Sequence, residues 1–312
     1  MSHPAAKVLD DKLVGLCYAL AAFVAWGILP LYWKALEVVP AQEILAHRIF
    51  WSFVFVAGII YSLKSWSSLA GLIKDGKSLA MIAFCALLIS VNWFVYIWAV
   101  NSDRVVEASM GYYITPLITV FFGITLLKER LDLYQLTAFI LAVAGVAVIT
   151  LHFGRIPWIA LVLAVTFAVY SLLKKLLKVD SVSGLALETA FITPLALAFI
   201  IFKQFSGTGS LGTLSPAISL FLVASGIVTA TPLLWFAKAA QKIELSTLGF
   251  LQYIGPTISL LIGIFYFKEE FSAMHFISFC LIWAGVIVYS WSAIGGMKKL
   301  PAFLRQESSL KS

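Results

Sequence analysis

The sequence predicts an all-α integral membrane protein, ten transmembrane helices arranged as a five-plus-five inverted repeat. Three observations carry this prediction. Of 312 residues, 62% are apolar and only 12% charged, and mean hydropathy is +0.99. Soluble domains carry roughly 25% charged residues. The apolar residues fall into ten long continuous runs, each near the roughly 20 residues that a spanning helix requires. The short alternating segments of a membrane β-barrel are not what these runs look like. Finally, the chain repeats itself. Tyr113-Ile-Thr-Pro116 returns as Tyr253-Ile-Gly-Pro256, Gly123 as Gly263, Lys128-Glu129 as Lys268-Glu269, and Ala144-Gly145-Val146 as Ala284-Gly285-Val286, each pair 140 residues apart without a gap. Fourteen of the 36 positions from 113 to 148 are identical at that offset. Self-similarity at a fixed spacing marks a two-unit architecture.

The first run, 13–33, follows a short N-terminal segment (1–12) and is of full spanning length without a cleavage site, so it reads as a helix and not a signal peptide. The second, 43–63, contains Arg48, beside His47 and five residues after Glu43. The third, 78–100, carries Asn92 and Tyr96, four apart and therefore on one helix face. The fourth, 105–127, carries Ser109, Tyr112, Tyr113 and Pro116, and the fifth, 133–151, closes the first unit (13–151). The second unit (156–293) comprises 156–173, 182–202 with Glu188, 216–237, 245–267 with Thr247, Gln252, Tyr253 and Pro256, and 273–293. The tail from Met297 (297–312) is basic and polar and is expected to be a mobile end. No loop is long enough for a soluble domain.

Lysine and arginine set the orientation. With the N-terminus cytoplasmic, sixteen of the 22 fall on the inner side, five (Lys34, Arg104, Arg155, Lys203 and Lys268) on the outer side, and Arg48 within a span. This bias favours both termini inside and accounts for the net charge of +7 without nucleic acid. Five spans separate repeat mates, so the two units have opposite topology, the inverted-repeat logic of many secondary transporters.

Several signals point elsewhere and are set aside. Gly71-Leu-Ile-Lys-Asp-Gly76-Lys77-Ser78 matches the phosphate-loop pattern letter for letter. That motif works only as a turn from a buried strand into a helix of an α/β domain, and here it is a polar loop between two spans. Cys17, Cys85 and Cys280 lie apart within apolar runs and read as small buried hydrophobes. His3, His47, His152 and His275 are scattered, so neither a metal site nor a cofactor is expected. No acid–base or nucleophile signature suggests an enzyme.

Polar groups inside spans usually face a cavity or a partner. Arg48 either snorkels outward or pairs with Glu43 one turn away, or else contacts a substrate anion or a gate. Glu188 is a partner-satisfied carboxylate or a proton-coupling one. Asn92, Tyr112 and Gln252 lie too deep for an interfacial aromatic or polar belt, which Trp98 and Trp235 fit well, and are candidates to line a substrate path. Pro116 and Pro256 each remove a backbone hydrogen bond mid-span and should kink their helices. Matching kinks in repeat mates point to a central site or a hinge. The four-residue spacing of Thr115, Thr119 and Gly123, repeated by Gly255, Ser259 and Gly263, marks close helix contacts, between the halves or between protomers of a homodimer.

The stretches Glu43-Ile-Leu-Ala-His-Arg-Ile-Phe-Trp51-Ser52, Asn92-Trp93, Trp98-Ala-Val-Asn101, Ser109-Met-Gly-Tyr-Tyr-Ile-Thr-Pro116 and Leu248-Gly-Phe-Leu-Gln-Tyr-Ile-Gly-Pro256 resemble RarD-type permeases of the drug/metabolite transporter superfamily, with its paired EamA-like repeats. The resemblance runs from about 12 to 295. It implies the drug/metabolite transporter fold in a bacterial inner membrane, both termini cytoplasmic. Its label refers to chloramphenicol sensitivity and names no physiological substrate. In related transporters the cavity is lined by the first, third, fourth, sixth, eighth and ninth helices. Carried over, this implies a path along Trp26, Asn92, Tyr96, Tyr112, Tyr170, Trp235, Gln252 and Tyr253, with Tyr113 as the repeat mate of Tyr253, and makes Arg48 a structural or gating residue.

The function expected is secondary transport, as an exporter, of a small amphipathic or aromatic metabolite or drug by alternating access. Coupling is either facilitated or a proton antiport through Glu188. The rivals are a membrane sensor or scaffold that binds without moving its ligand, and an intramembrane enzyme.

Overall fold

The computed structural model describes residues 4–102, 104–154, 156–268 and 273–309. The helices are α1 (Pro4–Lys34), α2 (Ala41–Leu63), α3 (Trp66–Lys74), α4 (Gly76–Asn101), α5 (Val105–Thr125), α6 (Leu133–Phe153), α7 (Trp158–Leu176), α8 (Ser181–Phe205), α9 (Pro216–Lys242), α10 (Leu245–Gln252), α11 (Ile254–Ile262) and α12 (Ala273–Ser309). A π-helical turn, Gly263–Phe267, prolongs α11. No strand occurs among the described residues. Ten helical stretches are long and apolar enough to cross a membrane, α10, α11 and the π turn together making the ninth.

Polar residues at the loops stop and start these helices. Asp132 caps α6 in a capping box, its Oδ1 accepting from the Gln135 amide at 2.8 Å while Gln135 Oε1 accepts from the Asp132 amide at 3.0 Å. Asp180 and Ser215 accept from the third-residue amides of α8 and α9 at 2.9 and 3.2 Å. One feature differs from the expected pattern: the loop after α2 holds the short helix α3, because Leu69 and Leu72, three apart, pack onto the core. Beyond Met297 the chain continues α12 as helix to Ser309.

The repeat governs the backbone. Helices α2 and α8, α4 and α9, α5 and α10, and α6 and α12 begin at residues 41 and 181, 76 and 216, 105 and 245, and 133 and 273, each pair offset by 140. Lys128 and Lys268, repeat mates after the fourth and ninth spans, both adopt the left-handed conformation, at φ 58° and 60°. Packing obeys the same symmetry. α1 meets α9 as α7 meets α4; α1 meets α11 as α7 meets α5; α2 pairs with α8, α5 with α10, and α6 with α12. At the α6–α12 crossing a Cβ on Gly145 would sit 2.7 Å from the Ser278 carbonyl, and one on Gly285 2.7 Å from the Ala138 carbonyl. These four residues form two repeat-mate pairs, so the glycines serve contact between the halves.

Two faces of the bundle need names. The near face is where α1 begins and α2 ends; the far face is where α1 ends and α2 begins. The largest buried cluster, including Val56, Ile60, Ile82, Tyr170, Phe236, Ile243 and Leu245, fills the near half.

Candidate functional site

Arg48 sits seven residues into α2, about 10 Å along the helix from its far-face end at 1.5 Å per residue. The Glu43 pairing expected from sequence does not form. The Glu43 carboxylate accepts instead from the amide and hydroxyl of Ser210, at 2.5 and 2.9 Å, with His47 Nε2 at 3.9 Å. A loop amide offers a fixed donor to a carboxylate at the far-face edge, and the pairing ties α2 to the α8–α9 loop. Arg48 turns the other way. Its Nε donates to Thr229 Oγ1 at 3.2 Å, and its guanidinium lies 4.9 and 4.4 Å from the Trp33 and Trp93 ring centroids. Such cation–π contacts are worth about 0.5–2 kcal/mol each. No carboxylate lies within ion-pair distance of Arg48 among the described residues. The titratable groups facing it are Tyr112 and Tyr96, whose rings meet edge-on at 5.9 Å. Tyr112 is 48% exposed although it lies seven residues inside α5 and faces Arg48. Its exposed surface therefore lies beside Arg48 in the far half of the bundle.

Glu188 is the repeat mate of Arg48, 140 residues on, and the contrast between them is sharp. Glu188 is buried, ion-paired and hydrogen-bonded to Lys174, and accepts from Tyr170 Oη at 3.2 Å. The Lys174 position corresponds to Lys34 in the first half, and Lys34 pairs with Glu37 at 2.5 Å. One mate thus has a protein counter-ion and the other has none. A small void lined by Trp93, Tyr170, Glu188 and Thr189 adjoins Glu188 and the tryptophan that stacks on Arg48.

The other sequence-predicted residues divide by surroundings. Asn92 donates to the Leu163 carbonyl and Thr166 Oγ1 at 2.8 and 2.9 Å, tying α4 to α7. Trp26 joins Phe23, Phe167 and Phe236 in an aromatic cluster at 5.5–5.9 Å. Tyr170 stacks on Phe236 and is fully buried, and Trp235 packs against the same core. Gln252 Oε1 accepts from Thr119 at 3.3 Å, while its Nε2 is buried with no partner. Tyr253 donates to the carbonyl of its own repeat mate, Tyr113, at 3.3 Å, so this pair straddles the axis relating the halves. The small-residue faces resolve the same way. Gly123 leaves room for the Ser246 amide, and Ser259 donates to the Gly27 carbonyl at 3.1 Å, both contacts within the chain. The prolines behave unequally. α5 runs unbroken through Pro116, whereas the ninth span breaks at Tyr253, three residues before Pro256. The Thr115 hydroxyl bonds back to the Gly111 carbonyl at 2.6 Å beside Pro116, and the Thr257 hydroxyl to the Tyr253 carbonyl at 2.7 Å beside Pro256; Gly255 stands where Thr115 does in the first half.

Sequence reasoning missed the tie that seals the near face. Both Glu129 oxygens accept α10 amides, from Leu245 at 2.7 Å and Ser246 at 2.8 Å. A carboxylate on the first-turn amides of a helix also meets the positive end of its dipole. Lys175 donates to the Ile243 carbonyl and Lys242 pairs with Asp11 nearby. The repeated Lys-Glu was the available signal; the mate Glu269 lies outside the described residues. Gly71–Ser78 spans the end of α3 and the start of α4, with no strand ahead of it. Among the described residues no His/Cys/Asp/Glu group could hold a metal; of the three free thiols Cys85 is buried as expected, whereas Cys17 and Cys280 are exposed on their helices.

Ten apolar helices and an inverted repeat define a multi-pass membrane transporter of the drug/metabolite transporter fold. The chain belongs to the EamA-like transporter family, whose model matches residues 13–151 and 155–291, and within it is a RarD-type permease. It is 45% identical over 287 residues to the uncharacterized transporter YojE of Bacillus subtilis, covering 90% of this chain and 94% of that one. Protein RarD of Escherichia coli is 41% identical over 280 residues, covering 90% and 95%. A solved crystal structure superposes with a TM-score of 0.66 at 21% identity, over 89% of this chain and 96% of that chain, a likeness of fold.

Proposed function

We propose that this permease is a secondary transporter that exports a small amphipathic or aromatic metabolite by alternating access, with both termini cytoplasmic in a bacterial inner membrane. The observation that carries the reading is the asymmetry of a symmetric fold. The near half is closed by Glu129 on α10 and by the packed core, while in the far half Tyr112 stays exposed beside Arg48. An inverted repeat can exchange the conformations of its halves, and rocking one half against the other then opens the opposite face around a fixed site. The sixteen-to-five bias of lysine and arginine supports placing the near face in the cytoplasm. In this reading the path runs along Tyr112, Tyr96 and the α5–α10 seam, and Pro256 is the hinge.

The test compares external metabolites of cells overproducing the intact protein with those of cells carrying equal amounts of a Tyr112→Ala, Gln252→Ala variant. A compound enriched outside only with the intact protein supports export through this path. Equal external pools, together with absent uptake in proteoliposomes across a broad metabolite panel, contradict it.

A further inference from the structure

The geometry points to Arg48 as the anchor for a carboxylate, and hence to small aromatic carboxylates as the substrate class; this rests on the transport reading above. A charge at membrane depth is expensive unless something answers it. The carboxyl groups of the spans named here are answered within the chain. Glu188 has Lys174 and Tyr170, Glu43 has Ser210, and Glu107 accepts from the Ile159 amide at 3.0 Å. Arg48 has two tryptophan faces and one threonine. Stacking covers the flat faces of the guanidinium and spends no N–H. Thr229 takes the Nε donor and leaves the outer fork of donors, the edge that matches a carboxylate bidentately.

The repeat strengthens the inference. At the equivalent position of the second half the fold closes its own ion pair, Glu188 with Lys174. In the first half the equivalent of Lys174 is another cation, Lys34, already committed to Glu37. Among the described residues the first half therefore holds, beside the exposed Tyr112, a cation with no anion. Beside it Trp33, Trp93, Tyr96 and the exposed Tyr112 supply aromatic surface for the rest of a ligand.

The experiment uses three probes with one ring and different charge: indole-3-acetate, indole-3-acetamide and tryptamine. Binding to the purified full-length protein and uptake into proteoliposomes are both measured. The acetate is expected to bind about 10- to 100-fold more tightly than the amide or the amine, the scale of a charge-assisted contact, and Arg48→Gln to erase that preference. If Arg48→Gln does not fold, protection of a Tyr112→Cys thiol from maleimide replaces it, with the acetate protecting and tryptamine not. Equal binding of the three probes, or a preference that survives Arg48→Gln, overturns the anion site. Uptake of the acetate by Arg48→Gln at the intact rate overturns it too and leaves transport standing. Arg48-dependent binding of the acetate without uptake sustains the site and overturns aromatic carboxylates as the transported class.

Discussion

Arg48 and Glu188 occupy one position in two copies of the same unit and have opposite environments. Glu188 and Lys174 are a buried pair, with side chains 2% and 5% exposed. Removing one partner of such a pair leaves an uncompensated charge and costs about 3–5 kcal/mol. Lys174→Ala should therefore lower the folded yield sharply in a detergent melt, and adding Glu188→Gln should recover most of it. An unchanged melt for Lys174→Ala would mean that the pair contributes little. Sequence alone made Arg48 and Glu188 conspicuous as charges in apolar runs. It could not choose their partners, because Glu43 lies one turn from Arg48 and is still claimed by Ser210, 167 residues away. The partner of Glu188 was no easier: Lys174 read as a topology marker on the loop, and the helix carries it inward.

Helices and their crossings were far more legible than side-chain partners. All ten spans were visible, since uninterrupted apolar runs in a membrane leave the backbone no alternative to helix. The 140-residue offset placed their starts in register. Less visible was how each crossing closes. Gly145 and Gly285 admit a backbone where a side chain would clash, whereas a Cβ on Gly58 in α2 meets nothing within 4 Å. Gly145→Leu should therefore prevent stable folding, and Gly58→Ala should hold or gain up to about 1 kcal/mol from helix propensity; thermal melts of the two separate a packing role from a conformational one. The prolines make a second contrast. The break lies at Tyr253 and α5 is continuous, so Pro256→Ala should slow transport more than Pro116→Ala, both variants remaining folded. Equal rates in both would remove the hinge from the account. Sequence treated the two prolines as equals because they are repeat mates and the nearest difference is a single exchange, Thr115 for Gly255, glycine being the weaker helix former.

At the scale of the whole molecule, a fold built from two matching units rests in an unmatched state. The near face is held by a few directed bonds on top of the apolar core, and Glu129 makes two of them. Each charge-assisted bond is worth about 1.5–3 kcal/mol, enough to bias a two-state equilibrium without fixing it. Glu129→Gln keeps the size and loses the charge, so it should raise near-face accessibility and lower the melting point while leaving the fold intact. The measurement closest to the central claim is thiol labelling by a membrane-impermeant maleimide in oriented vesicles, with Tyr112→Cys or Ser246→Cys as the single thiol. Cys17, Cys85 and Cys280 are first replaced by alanine. Expected is reaction of Tyr112→Cys from the side opposite the termini and slow reaction of Ser246→Cys, with a transported compound moving the two rates in opposite directions. Two rates that rise together, or that ignore a transported compound, would contradict alternating access between these faces.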